Sequence, residues 1–257
     1  MANYHFEISN ISRGKGRSVT SCASYICGCK LHDSYNDKTY SHRRGDVMYW
    51  KVYQPFNAPA QFSDLQCLCN KIDEAEKRYD SRTGREFIGS LPNELPHPEL
   101  VRIVNEYVEE HFVKKGLCAV AAIHDGRNED DPFKNNPHVH ILVTTRTVGP
   151  DGFSEKKDRE HNKKMYVKIW REGWANVQNR AYERNDLEIR VSHESLEVRG
   201  IRREPTPHLT RIDWQREECG ERTPAGDRKR AIQERNSILI QEHRLRRVRE
   251  LTIELSR

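Results

Sequence analysis

No stretch of the 257 residues holds the roughly 18 consecutive apolar side chains that a membrane-spanning helix requires. The opening MANYHFEISN lacks the charged-then-apolar pattern of a secretory signal. No C-x-x-C occurs. The seven cysteines, at 22, 27, 29, 67, 69, 118 and 219, are odd in number, and their two C-x-C pairs have poor spacing for zinc. Reduced thiols in a cytoplasmic protein are therefore the expectation. The chain also lacks H-E-x-x-H, H-x-E with P-C-x-x-C, G-x-S-x-G and a Walker A motif. These absences argue against a zinc peptidase, a zinc deaminase, a nucleophile-elbow hydrolase and a P-loop enzyme. No internal repeat is present.

What is there is charge on a modest core. Hydrophobic residues make up 35% and charged residues 32%, which suits one large domain with an appendage. Residues 228–257 hold nine Lys/Arg and four Glu; nine less four is +5, the whole net charge of the chain. A basic tail of this kind suggests a polyanion partner, although a solvated basic helix has the same composition. The pattern divides the chain into a domain over 1–226 and a basic helix over 227–257. That helical pattern runs to the last residue, as expected for the start of a longer C-terminal region.

The spacing of apolar residues predicts a strand over 4–11 and a Gly/Arg/Lys loop over 12–18. A helix follows over about 19–30, with Ser18 as its cap. Val19, Cys22, Ala23 and Ile26 form the apolar stripe of that helix, and Tyr25 lies on its shoulder. Residues 32–60 read as irregular. Helices are expected at 62–79, 98–116 and 163–185, with a short one near 192–199, and a strand at 84–91. LCAVAAIHD (117–125) and HVHILVTTR (138–146) read as an antiparallel hairpin across a long polar loop, and 147–162 as a flexible crossover. The order of elements favours an α/β fold of α+β type: a central, mainly antiparallel sheet covered by helices, with a charged C-terminal helix.

The segment NNPHVHILVTTR raises the chemical question. Residues two apart on a strand share a face, so His138 and His140 point the same way, with Val139, Ile141 and Val143 opposite as core. Such a pair can be solvated, hydrogen-bonded, or holding a metal. If the two strands pair across the 125–136 loop, His124 lies near both. Three neutral imidazoles can bind a divalent ion and leave positions open for substrate.

YHFEISNISRGKGRSVTSCASYICGCKL resembles the opening of the MobA/MobL family of plasmid mobilisation relaxases. EAEKRYDSRTGREFIGSLPNEL, AIHD…NPHVHI, WREGWANVQNRAYER and SHESLEVRGIRREPTPHL resemble the family's later blocks, in order, over about residues 3–226. The family belongs to the HUH endonucleases, named for two histidines flanking an apolar residue, as in His138-Val139-His140. The resemblance implies an HUH relaxase-like fold and a DNA relaxase. Such an enzyme nicks one strand at a plasmid transfer origin, forms a 5′-phosphotyrosyl intermediate and religates it after transfer.

On this chain the resemblance implies that Tyr25 is the nucleophile and that His124, His138 and His140 hold Mg²⁺ or Mn²⁺, with Zn²⁺ as a possible bound species. Glu86 would be a supporting acid. Arg13, Lys15, Arg17, Arg202, Arg203 and His208 would meet DNA. Single-stranded transfer-origin DNA, accessory mobilisation proteins and a type IV secretion coupling protein are the implied partners, with no membrane insertion. A bacterial cytoplasmic location, with export alongside DNA, is implied too. The chain departs from the family pattern at three places: Ile88 where a second carboxylate is frequent, MYWKVY (48–53) without the frequent H-T-E or H-S-E, and Cys69 where tryptophan is common. Two other readings remain at this point: a rolling-circle replication initiator with the same chemistry, and a non-catalytic DNA-binding or autoregulatory protein.

Overall fold

The computed structural model describes residues 4–127, 129, 135–207 and 209–255. They form two compact units, 1–193 and 194–257. The units part earlier than the change in composition at 226/227.

In the first unit, strands β1 (Phe6–Ser12), β4 (Val47–Tyr53), β5 (Arg82–Ser90), β6 (Ala119–His124) and β7 (His138–Thr144) build one sheet in the order β1-β5-β7-β6-β4. Every neighbouring pair is antiparallel. β6 is buried along its whole length, as its run of small and β-branched residues requires.

Helices α1 (Val19–Cys27) and α2 (Leu65–Ala75) cover one face. Val19, Ala23, Ile26, Leu68 and Ile72 pack there on Val120, Ala122 and Leu142. Helices α3 (His97–His111) and α4 (Met165–Arg184) cover the other, where Ile103, Tyr107, Trp170 and Trp174 meet Phe87, Ile123, Val139 and Ile141. The Ser18 side chain accepts a hydrogen bond from the Ser21 amide at 3.2 Å and starts α1; Gly28, at φ 64°, ends it. That left-handed stop is why α1 closes at Cys27 rather than near 30. Asp64 caps α2 through the Cys67 amide at 2.7 Å, so the helix begins at Leu65 and not at 62.

The segment 32–60, read as irregular, contributes three strands. β2 (Lys30–Asp33) and β3 (Lys38–Ser41) form a hairpin, and β4 becomes an edge strand beside β6. Lys51 interrupts the apolar character of β4, and its partner strand lies about seventy residues away, so local pattern does not reveal it. Residues 148–149 and 152–153 form a two-strand ribbon, β8 and β9, within the expected crossover. No helix forms near 192–199; residues 196–200 make a turn.

The second unit holds α5 (Arg211–Glu218) and the long α6 (Pro224–Leu255). Glu217 joins them, accepting from the Thr223 amide at 2.6 Å and pairing with Arg230. No helix among the described residues is long and apolar enough to cross a membrane.

One packing contact sets a sequence constraint. The Trp174 ring stacks on Phe6 with centroids 5.6 Å apart and lies so close to Gly89 that a Cβ there would sit 2.7 Å from Cε2. Gly89→Ala should therefore lower stability by about 1–3 kcal/mol, read as a fall in the urea unfolding midpoint. An unchanged midpoint would show that the ring does not sit against β5.

A histidine cluster beside an exposed tyrosine

The hairpin β6–β7 pairs His124 directly with His138, and His140 with Ala122. All three imidazoles lie on the α1 face, with ring centroids 5.3, 4.8 and 5.2 Å apart. Their nitrogens converge: one ligand atom from each lies within 4.8 Å of the others.

Each ring has one nitrogen committed to a protein acceptor. His124 Nε2–H donates to the Ile26 carbonyl at 2.8 Å, near the C-terminal end of α1, where helix carbonyls are left without intrahelical donors. His138 Nδ1–H donates to the Asn136 carbonyl at 2.7 Å, and His140 Nδ1–H to Glu86 Oε1 at 3.3 Å. These bonds fix the tautomers and leave His124 Nδ1, His138 Nε2 and His140 Nε2 with lone pairs for a metal. His124 Nδ1 is buried and has no hydrogen-bond partner. A buried polar atom left in this way is uncommon and is what a ligand position looks like without its ion. Burial, outweighing the Ile26 bond, pulls the His124 pKa down to about 4; burial lowers His138 as well. Neutral imidazole is the metal-binding form. The residues present thus fit a divalent ion.

Glu86 supports the cluster from β5. Burial raises its carboxyl pKa, but hydrogen bonds from His140 and Arg17 outweigh burial and hold it down at about 2. Glu86 is therefore an anion at neutral pH that accepts from His140 on one oxygen and from Arg17 on the other. Ile88 lies directly across from His140, so the departure noted in the sequence places an apolar side chain on this face.

Tyr25, in the last turn of α1, is 42% exposed. Its ring meets His124 and His140 edge-on, with centroids 6.3 and 6.2 Å apart, and His42 at 5.7 Å. The Arg44 guanidinium lies 4.3 Å over the ring. Asp46 holds Arg44 through its Nε at 2.8 Å, and the Arg44 bond keeps the Asp46 carboxyl at about 2. The Asp46 carbonyl in turn accepts from the Asp125 amide at 2.8 Å, one residue past His124.

Tyr25, Glu86, Arg17 and the three histidines are thus brought together. Arg13 is not displayed: its guanidinium pairs with Asp73 at 2.7 Å, stacks 3.6 Å from the Tyr35 ring and is buried within the fold. Lys15 is exposed on the loop. Arg202 and Arg203 belong to the second unit, Arg202 exposed and Arg203 half-buried, and His208 lies outside the described residues. His42, Arg44 and Asp46 were not anticipated. They precede β4, and the pairing of Val47 with His124 brings that segment to the site.

Fold and site define an α+β protein with a metal-capable histidine cluster on two central strands and a tyrosine presented beside it. The chain belongs to the MobA/MobL family, whose model matches residues 17–217. A protein of Bifidobacterium longum called probable mobilization protein MobA is 30% identical over 251 residues, covering 81% of this chain and 43% of that protein. The conjugal transfer protein TraA of Agrobacterium fabrum is 29% identical over 240 residues, covering 81% of this chain and 21% of TraA. The chain therefore spans less than half the length of either relative. A solved structure described as "Molecular Basis of Vancomycin Resistance Transfer in Staphylococcus aureus" superposes with a TM-score of 0.68 and 29% identity, over 76% of this chain and all of that one.

The two kinds of burial in the cluster separate two effects. His138→Ala should abolish tight Mn²⁺ binding in a calorimetric titration with little loss of stability. His124→Ala should abolish it and also lower unfolding free energy by about 1–2 kcal/mol, because the Ile26 carbonyl loses its donor. Tight binding surviving in either variant would show that the three rings do not share an ion.

Proposed function

We propose that this chain is the DNA-nicking domain of a conjugative relaxase. It acts on one strand of transfer-origin DNA, and Tyr25 is its nucleophile. The observation that carries this reading is the placement of an exposed tyrosine edge-on to two of three histidines that leave their lone pairs free. A tyrosine hydroxyl is a weak nucleophile near neutral pH and needs help from its surroundings. His124, His138 and His140 would hold a divalent ion, Mg²⁺ or Mn²⁺ in turnover with Zn²⁺ also able to bind, which when bound would supply charge to offset that on the non-bridging phosphate oxygens.

The chain's own residues do the rest. The helix end tied to His124 holds the Tyr25 oxygen in place for in-line attack, where an error of about 1 Å can cost on the order of 100-fold in rate. The Tyr25 oxygen bonds to phosphorus, the 3′ oxygen leaves and takes up a proton, and the tyrosine proton is lost to solvent. The 5′ end stays as a tyrosyl ester, so the bond energy is kept for religation. Arg44 stands over the ring where negative charge gathers between the tyrosine oxygen and the phosphate. Glu86 fixes His140, and Arg17 balances Glu86.

Lys15 and the exposed basic residues of α6 supply phosphate contacts, which position DNA without reading its bases. Accessory mobilisation proteins and a type IV secretion coupling protein are the proposed partners. The proposed setting is the bacterial cytoplasm, followed by export with the DNA.

Tyr25→Phe keeps the ring and removes one oxygen. DNA binding should stay within about twofold, while nicking and the protease-resistant protein–DNA adduct disappear together. A nucleotide remnant mapped by mass to a peptide without Tyr25 would overturn the assignment. Deleting residues 228–257 should weaken DNA binding and flatten its dependence on salt, with the nick position unmoved. Affinity unchanged at low salt would remove the tail from the interface.

A further inference from the structure

At the end of the sheet away from the histidines lies a groove of about 1130 Å³. One wall is the chain leaving α2 and entering β5, residues 75–82, and the other is residues 153–162. On β5 it begins at Arg82, six residues from Ile88, which stands across from His140. At about 3.3 Å per residue the groove is therefore about 20 Å from the cluster.

Its walls are tied together. The buried carboxylate of Glu76 takes Arg146 Nε at 2.9 Å and Lys157 Nζ at 2.7 Å, and Lys157 also donates to the Arg82 carbonyl at 2.7 Å. Arg146 donates as well to the carbonyls of Ser154 and Glu155. One buried anion under two cations leaves a net positive floor. Behind the groove, Arg85 donates to the Asn162 side-chain oxygen at 2.7 Å, so the Asn162 amide N–H₂ is left to donate to a ligand. Arg85 is 5% exposed, and its Nη1 is buried without a partner.

Four further cations line this groove: Lys77, Arg82, Lys156 and Arg159. All four are exposed, and among the described residues none makes an ion pair. Arg78, also exposed, is paired with Asp80. Seven Lys/Arg stand against three carboxylates, Glu76, Asp80 and Glu155, along this one preformed concavity, and that excess of positive charge marks a place for a polyanion. Between Arg78 and Asp80 stands Tyr79, 79% exposed. A concavity lined by cations, with an exposed aromatic residue on the segment that forms one wall, has the parts that take unpaired nucleotides, because every base offers a π-face.

We infer that this groove is a second binding site for single-stranded DNA, remote from the histidine cluster, in which Lys77, Arg82, Lys156 and Arg159 meet phosphates and Tyr79 stacks on a base. It shares with the proposed function only the class of ligand. Neither a nick nor a metal is needed to test it.

The test is fluorescence anisotropy with oligothymidines of about 8 and about 30 nucleotides, and with a hairpin duplex carrying as many phosphates as the longer one. Replacing all four cations by Ala should weaken binding of the long oligothymidine at least tenfold. Its log–log salt slope should fall by about 2–3, since each single-strand phosphate contact contributes about 0.7. Tyr79→Ala should weaken the same oligothymidine and leave the salt slope unchanged, with no effect on the duplex. These residues are exposed, and thermal unfolding of both variants should match the parent. Unchanged affinity and slope in the fourfold variant would overturn the site. A loss confined to the duplex would overturn its single-strand character. The fourfold variant should lose oligothymidine binding whether or not any nick is made, so a failure of the nicking proposal leaves this result standing and is told apart from it.

Discussion

The hydrogen bond from His124 Nε2 to the Ile26 carbonyl joins the parts on which the site depends. It fixes the tautomer of the most buried histidine, and so decides which nitrogen is free. It also gives a donor to a helix-end carbonyl that would otherwise be unmet inside the fold. Because Ile26 follows Tyr25, the same bond sets where the tyrosine stands relative to the cluster. The positions of the proposed ion and of the proposed nucleophile are thereby one geometric variable rather than two. The other two histidines are held in the same manner but by different elements, one by the loop before β7 and one by β5.

The electrostatics of the site alternate in sign outward from the rings. The imidazoles lie at the centre, Glu86 and Asp46 come next as anions, and Arg17 and Arg44 balance them. Without the two arginines, Glu86 and Asp46 would be uncompensated carboxylates close to the place where the proposal puts a phosphate, and would repel it. With them, the two carboxylates are compensated before any ion binds, and a divalent cation would then bring the net positive charge that the proposed phosphodiester requires.

The histidines were legible because two simple periodicities sufficed. Alternation along β7 puts His138 and His140 on one face, and a hairpin with Ala-rich β6 brings His124 opposite. Tyr25 was marked by its place on the shoulder of a clear helical stripe. The rest depended on long-range pairing that local pattern does not encode. Arg13 and Lys15 look alike in the loop SRGKGRS, yet Arg13 finds Asp73 sixty residues on and is withdrawn from the surface. Arg44 and Asp46 sit in a segment whose strand, β4, exists only because β6 is there to receive it. The groove was invisible for the same reason: its two walls come from residues 75–82 and 153–162, and neither stretch is unusual alone.

The position of β4 at the rim of the sheet has a consequence for how the molecule behaves in crowded solution. Its outer side offers backbone donors and acceptors to any extended chain, and the exposed Met48 and Trp50 would add apolar surface to such a contact. Lys51 stands between Trp50 and Val52, with its ammonium 4.7 Å over the Tyr53 ring. A strand arriving from another copy would have to crowd that charge against its own side chains. Edges of sheets are commonly kept from sticking by a lysine placed in this way. The residue that hides β4 from a reading of the sequence is thus also the one that guards the folded protein against growing its sheet into an aggregate.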